Sequence, residues 1–478
     1  MVNMITPLII AQDVGMSNKR LLLFLIVFPI FCCEKNGGLP WVFSTGEIGS
    51  SLLTIEDIDD DGKLEVVGVT TCNKIFALNG ENGSILWKRK IGECRECCNP
   101  FSMLRDEYSS AFIGDIDNDG KKEIILYYND EIFALNGEDG SLLWSFQTSS
   151  NEAFNLVITD VNTDGEHEVI TTGTGGFVYC LKGKDGSLLW SYTTPGIEGW
   201  VNSSPTVDDI DNDGKAEVIF GTKDNKIYAL NAEDGSVSWI YDYDIPEYRW
   251  DFTFYSSFSI KDVNGDEKPE VIANTGICYI LNGEDGSLLW SYSGGCLWTK
   301  PPIVDLDNDG EFELIGFIFM RDKKEIHALN GKDGSDKWVF YIKNEETTPC
   351  PPVVGDIDED EELEILFLAY DEKLYAIDGR DGSLLWIYEI NNPEYEEVCG
   401  LFSFPIVGDL NNDGKNEVIF GADKLYILSG KNGSLIWSYT THAYGTNPYA
   451  IIDLNQDSKL DILFMTSDGK IYAITPDL

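Results

Sequence analysis

Nine times the chain writes Asp-x-(Asp/Asn)-x-Asp, and each time an acidic residue follows four positions after the last Asp. Oxygen donors at positions one, three, five and nine can converge on one hard cation, with a backbone carbonyl at seven. Calcium is the natural occupant. Four copies carry four carboxylates and a glycine at position six: Asp57, Asp59, Asp61 and Glu65; Asp115, Asp117, Asp119 and Glu123; Asp209, Asp211, Asp213 and Glu217; Asp305, Asp307, Asp309 and Glu313. A fifth, Asp356, Asp358, Asp360 and Glu364, has the carboxylates but Glu361 at position six. Asn takes the second donor position in Asp160, Asn162, Asp164 and Glu168; in Asp262, Asn264, Asp266 and Glu270; in Asp409, Asn411, Asp413 and Glu417; and in Asp453, Asn455, Asp457 and Asp461. Position six departs from glycine at Glu267, Glu361 and Ser458, so those three loops are the expected weak or empty sites. The spacing thus predicts several calcium ions, up to nine. An EF-hand is excluded, because it needs a twelve-residue loop between helices, and strand patterns flank these loops.

A second motif runs in phase with the first. It reads Ala-Leu-Asn-Gly-Glu-Asp-Gly-Ser-Leu-Leu-Trp-Ser-Tyr with variations, around Trp41, Trp87, Trp144, Trp190, Trp239, Trp290, Trp338, Trp386 and Trp437. A period of about 50 residues suits a four-stranded propeller blade. The fourth copy parses into strands at 204–209, 217–221, 226–230 and 237–241, with an Asp-Gly hairpin signal between the last two. Trp41 sits in a fourth strand (39–44) with no first three before it, and 448–474 supplies three strands with no fourth after them. Joining the two fragments completes one blade and closes the ring. The fold is therefore read as all-β, a single β-propeller spanning 39–478. It has nine blades by count, or eight with one irregular unit. Strand alternation puts the acidic loops and the Asp-Gly-Ser turns on one face, and the links between blades on the other. The tryptophans are expected to fill the space between blades.

Composition narrows the function. The chain is 43% apolar, ample for a packed core, yet carries 82 Asp+Glu against 34 Lys+Arg, a net charge of −48. Phosphate contacts require clustered Lys and Arg, so nucleic acid is excluded as a partner. Lys19-Arg20 ahead of the uncharged run 21–33 reads as a secretory signal or, if uncleaved, a membrane anchor within 1–38. That is the one expected membrane contact, and it places the rest at the cell surface or outside, where calcium is abundant. The eleven cysteines suit an oxidising compartment, with local disulfides expected around Cys94, Cys97 and Cys98 and at Cys278 and Cys296. His167, His327 and His442 fall in three different repeats, and no hydrolase constellation stands out.

The Asp-x-Asp-x-Asp-Gly-x-x-Glu loop resembles the FG-GAP/VCBS repeats of integrin alpha-type propellers. Gly-Glu-Asp-Gly-Ser-Leu-Leu-Trp-Ser-Tyr resembles the tryptophan repeat of quinoprotein (PQQ-type) propellers and of the outer-membrane assembly propeller. The resemblance covers about 39–475. It implies a calcium-binding propeller that recognises an extracellular protein or glycan through its variable links, an adhesion-type module without catalytic residues. Off-period aromatics in those links, Trp200, Tyr248 and Trp250 beside Arg249, Trp298, Tyr395 and Tyr444, are the ligand-face candidates. The alternative is a quinoprotein dehydrogenase or the scaffold of an envelope assembly complex. Cys97-Cys98 resembles the adjacent disulfide of the dehydrogenases, but no Cys-x-x-Cys-His haem site is present and no motif matches their catalytic Asp. The quinone itself is not expected.

Overall fold

Each repeat folds as an antiparallel meander, and the strands assemble into nine four-stranded blades. This settles the count at nine. The computed structural model describes residues 41–478 except 47–51, 71–73, 92–110, 129, 150–152, 174, 197–200, 202, 244–257, 276, 294–300, 321–322, 343–351, 370, 391–403 and 442–445. Every regular element among the described residues is a strand. The fourth repeat shows the parse: strands at Thr206–Asp208, Glu217–Thr222, Lys226–Asn231 and Val237–Asp242 pair in sequence order. Blade nine closes the ring as expected. Trp41–Ser44 pairs antiparallel with Lys470–Ile474, beside Asp461–Thr466 and Thr446–Ile452.

The second strands explain the packing. In Glu364–Ala369 successive residues point to opposite faces, and all are buried. Ile365 and Phe367 join a cluster with Ile315 and Trp338 of blade six, while Leu366 and Leu368 join one with Val418 and Phe420 of blade eight. A strand with two buried faces reads as an unbroken apolar run, which is what each repeat carries there. The core is accordingly a set of interfaces between neighbouring blades, not one central mass. First strands of adjacent blades touch at the hub, and fourth strands lie at the rim, where Leu86, Leu188 and Leu435 are exposed.

Tryptophan seals each interface. The Trp87 indole donates its N–H to the Gly137 carbonyl of the next blade at 2.7 Å, and Trp41 does the same to Gly80 across the closing blade at 2.7 Å. Eight of the nine tryptophans make this bond; at Trp190 the acceptor is Ala232. The ring then lies on the next blade's Asp-Gly turn. A Cβ on Gly140 would sit 2.6 Å from the Trp87 ring, and the backbone there has φ +67°. Glycine is required twice over at that turn. Trp437 packs instead among Tyr439, Phe464 and Tyr472 at the blade-nine interface.

Candidate metal centres

Every acidic loop takes the same backbone path, set by its own side chains. The carboxylate at position one accepts the N–H of position six: Gly120 to Asp115 at 3.1 Å, Gly214 to Asp209 at 2.9 Å. The carboxylate at position nine turns back and accepts the N–H of position two, as in Ile116 to Glu123 at 3.1 Å and Leu454 to Asp461 at 3.2 Å. Position six is left-handed throughout: Gly62, Gly120 and Gly310 have φ between +83° and +88°, and Glu267, Glu361 and Ser458 lie at +69°, +68° and +66°. The three loops expected to be weak therefore close like the rest, with a non-glycine residue held left-handed at position six. In the Asp262 loop the glycine has moved to position four, where Gly265 has φ +79°. Replacing Ser458 by Gly should raise stability by about 0.5–1 kcal/mol, since relief of the Cβ clash outweighs the added freedom of the unfolded chain. A urea midpoint in chelator measures it, and an unchanged midpoint would show the strain to be absorbed elsewhere.

Among the described residues, carboxylate oxygens converge within 4.8 Å of one another in five loops: Asp57, Asp59 and Asp61; Asp115, Asp117 and Glu123; Asp209, Asp211 and Glu217; Asp305, Asp307 and Glu313; Asp356, Asp358 and Asp360. Four are the full sets named from the sequence. The fifth is the Asp356 loop, so its lack of glycine does not keep its carboxylates apart. In four of these loops one carboxylate oxygen is buried with no hydrogen-bond partner: Asp57 Oδ1, Asp115 Oδ1, Asp307 Oδ1 and Asp358 Oδ1. Buried acceptors are seldom left so, and a cation is the species that satisfies several at once. The donor set, all oxygen and mostly charged, fits calcium. Burial first, and then the surrounding carboxylates, push Glu65, Glu123, Glu217, Glu270 and Glu364 up to about 7.

Two features of the loops were not singled out in the sequence. The side chain at position four reaches the carbonyl of position six in the next blade: Asn118 to Gly165 at 2.5 Å, Asn212 to Glu267 at 2.9 Å, Asn308 to Glu361 at 3.1 Å, and Gln456 to Gly62 at 2.6 Å across the ring closure. The loops thus brace one another around the face. The recurrence of Asn at that position was the available signal. The second feature is Lys337, whose ammonium enters the Asp305 loop 2.6 Å from Asp307 Oδ2 and 2.8 Å from Glu313 Oε1. A lysine among leucines at one motif position marks it.

The ligand-face candidates Trp200, Tyr248, Arg249, Trp250, Trp298, Tyr395 and Tyr444 lie outside the described residues, as do segment 1–38, Cys94, Cys97, Cys98, Cys296 and His442. Cys278 is a buried free thiol, pushed up to about 12 by burial. His167 stands inside its acidic loop, and His327 is buried in a third strand against Glu325 and Asp336.

A ring of meander blades sealed by tryptophan on the next blade's Asp-Gly turn defines a PQQ-like repeat propeller. The chain belongs to the family described as outer membrane protein assembly factor BamB, whose sequence model matches residues 159–296 and 294–476. No curated protein matches it. Among solved structures, a europium-containing methanol dehydrogenase is similar with a TM-score of 0.53 at 12% identity, covering 92% of this chain and 93% of that one. The biofilm matrix protein Bap1 of V. cholerae follows at 0.50 and 15% identity, covering 93% and 91%. BamB from Moraxella catarrhalis gives 0.47 and 14%, covering 90% and 99%. At these identities the structural likeness speaks for the fold alone.

Proposed function

We propose that the chain is a calcium-braced docking propeller, a scaffold that holds protein partners in an assembly at the cell envelope. The observation that carries this reading is the family match, which spans most of the ring and names an assembly factor. It favours the scaffold alternative over the adhesion module expected from the sequence, and protein over glycan as the partner. The acidic loops act as FG-GAP-like calcium sites. Positions one, three, five and nine supply the oxygens, and the ions stiffen the corners on which the ring of loop-to-loop bonds rests. Residues 1–38 export or anchor the chain, and 39–478 form the ring. The variable links, with Trp200, Trp250, Trp298 and Tyr444, offer the docking surface.

A quinone-dependent dehydrogenase is the competing reading within the same propeller class. One experiment separates them. A photo-crosslinking residue is placed at Trp200, Trp298 or Tyr444 in the native host, with the rim position Leu86 as control. The scaffold reading expects covalent adducts with one or a few defined proteins from the link positions and not from the rim. Absence of adducts, together with dye-linked alcohol oxidation after PQQ is added to the purified chain, would overturn it.

A further inference from the structure

One blade departs from the others, and it does so at three linked positions. In sequence the residue before the blade tryptophan is Pro40, Leu86, Leu143, Leu189, Ser238, Leu289, Leu385 or Ile436 in the other eight blades, but Lys337 in blade six. The residue before that is Ile, Leu or Val in the same blades, but Asp336 here. The third strand carries Phe76, Phe133, Tyr179, Tyr228, Tyr279, Tyr375, Tyr426 and Tyr472 at one position, and His327 in blade six. These substitutions meet. His327 Nδ1 lies 2.7 Å from Asp336 Oδ1, with its Nε2 3.2 Å from Glu325 Oε2. Lys337 turns the opposite way, into the acidic loop. Its Nζ touches Asp307 Oδ2 and Glu313 Oε1 and lies 3.9 Å from Asp309 Oδ2. The lysine side chain is only 19% exposed, and that of Glu313 1%. Three of the loop's four donor residues thus already face a positive charge supplied by the chain.

We propose that Lys337 is the resident cation of blade six, its ammonium standing where a divalent ion stands in the other loops. The inference rests on the calcium reading of those loops. An ammonium donates at most three hydrogen bonds and carries one charge, so it can hold this loop closed without filling a calcium coordination shell. The loop keeps its four carboxylates and the Asp305-to-Gly310 turn at 2.9 Å, and it closes whether or not calcium is present. Blade six is then the calcium-independent member of the ring, although its sequence reads as one of the four complete sites.

The test is a count of bound ions by native mass spectrometry on the full chain in calcium, paired with melting in excess EGTA. Lys337→Leu installs the residue other blades carry, at a surface position where Leu86 and Leu385 are each 43% exposed. It should bind one more calcium than the wild type. It should also melt several degrees lower in EGTA while matching the wild type in calcium. Lys337→Arg keeps the charge and should leave the count unchanged, and Lys337→Met serves if the leucine variant folds poorly. An unchanged count in both the leucine and methionine variants overturns the proposal. A wild-type count of zero would overturn the calcium reading instead, and the EGTA comparison alone would then decide whether Lys337 braces the loop.

Discussion

In excess EGTA the chain should melt on the order of 10–20 °C below its melting temperature in millimolar calcium. An ion held at a hundred times its dissociation constant adds about 2.7 kcal/mol, and several such ions together add roughly 10–20 kcal/mol. For a chain of this length each kcal/mol moves the midpoint by about 1 °C or slightly more. Ring proteins can unfold in parts, so the midpoint is a better readout than an extracted free energy. The physical cause is local. Stripped of the ion, each loop other than the Lys337-filled Asp305 loop crowds three or four carboxylates, with one oxygen buried and unpartnered at Asp57, Asp115 and Asp358. Binding energy gained only in the folded loop is folding energy. A melting curve indifferent to both chelator and calcium would remove the braces from the account.

The same loops fix the sign of the pH dependence. Glu65, Glu123, Glu217, Glu270 and Glu364 are raised to about 7 in the metal-free fold, against about 4.3 in an unfolded chain. Between those values the folded state holds more protons, so metal-free stability falls as pH rises from about 4.5 to 7 and stays low above that. Calcium requires the ionised form and reverses the slope, because protons compete with the ion below about 7. Melting at pH 5 and pH 8 with EGTA and with calcium should give opposite trends; parallel trends would contradict the shared site.

The second large effect belongs to the seam between blades. Trp386→Ala should cost about 3–5 kcal/mol for the lost ring and about 1 kcal/mol more for its hydrogen bond to Gly430, which is 2.7 Å long. The paired test is at glycine. Gly433 has φ +66°, and a Cβ there would lie 2.6 Å from the Trp386 ring, whereas Gly120 has φ +88° and open space around it. Gly120→Ala therefore meets only the left-handed penalty, about 1–2 kcal/mol, while Gly433→Ala must also displace a packed indole. Urea unfolding in calcium should rank Gly433→Ala well below Gly120→Ala. Equal losses would mean the tryptophan is a passive filler.

The repeat made much of this legible. A tryptophan at one phase and an Asp-x-Asp loop at another, each recurring about every 50 residues, specify strand order, face and closure, because every blade must solve the same packing problem. Other features were hidden because they lie between repeats. The Asp-Gly glycines read as turn glycines, yet their second constraint is the indole of the preceding blade. The role of Asn118 and Gln456 shows only when the next blade's carbonyl is seen beside them. Lys337 was masked by counting acids alone. The Asp305 loop has a complete set, and its neutralising charge comes from a strand 24 residues beyond Glu313. The role of the links was legible only as composition, since the aromatics that suggested a docking face lie outside the described residues.

The most direct measurement is anomalous scattering from crystals of the full chain grown with calcium and with terbium. The account predicts peaks within coordination distance of positions one, three, five and nine, strongest at the Asp57, Asp115, Asp209 and Asp356 loops, and none at the Asp305 loop, where Lys337 sits. Loops closed on water alone, with no anomalous density in any of them, would contradict it.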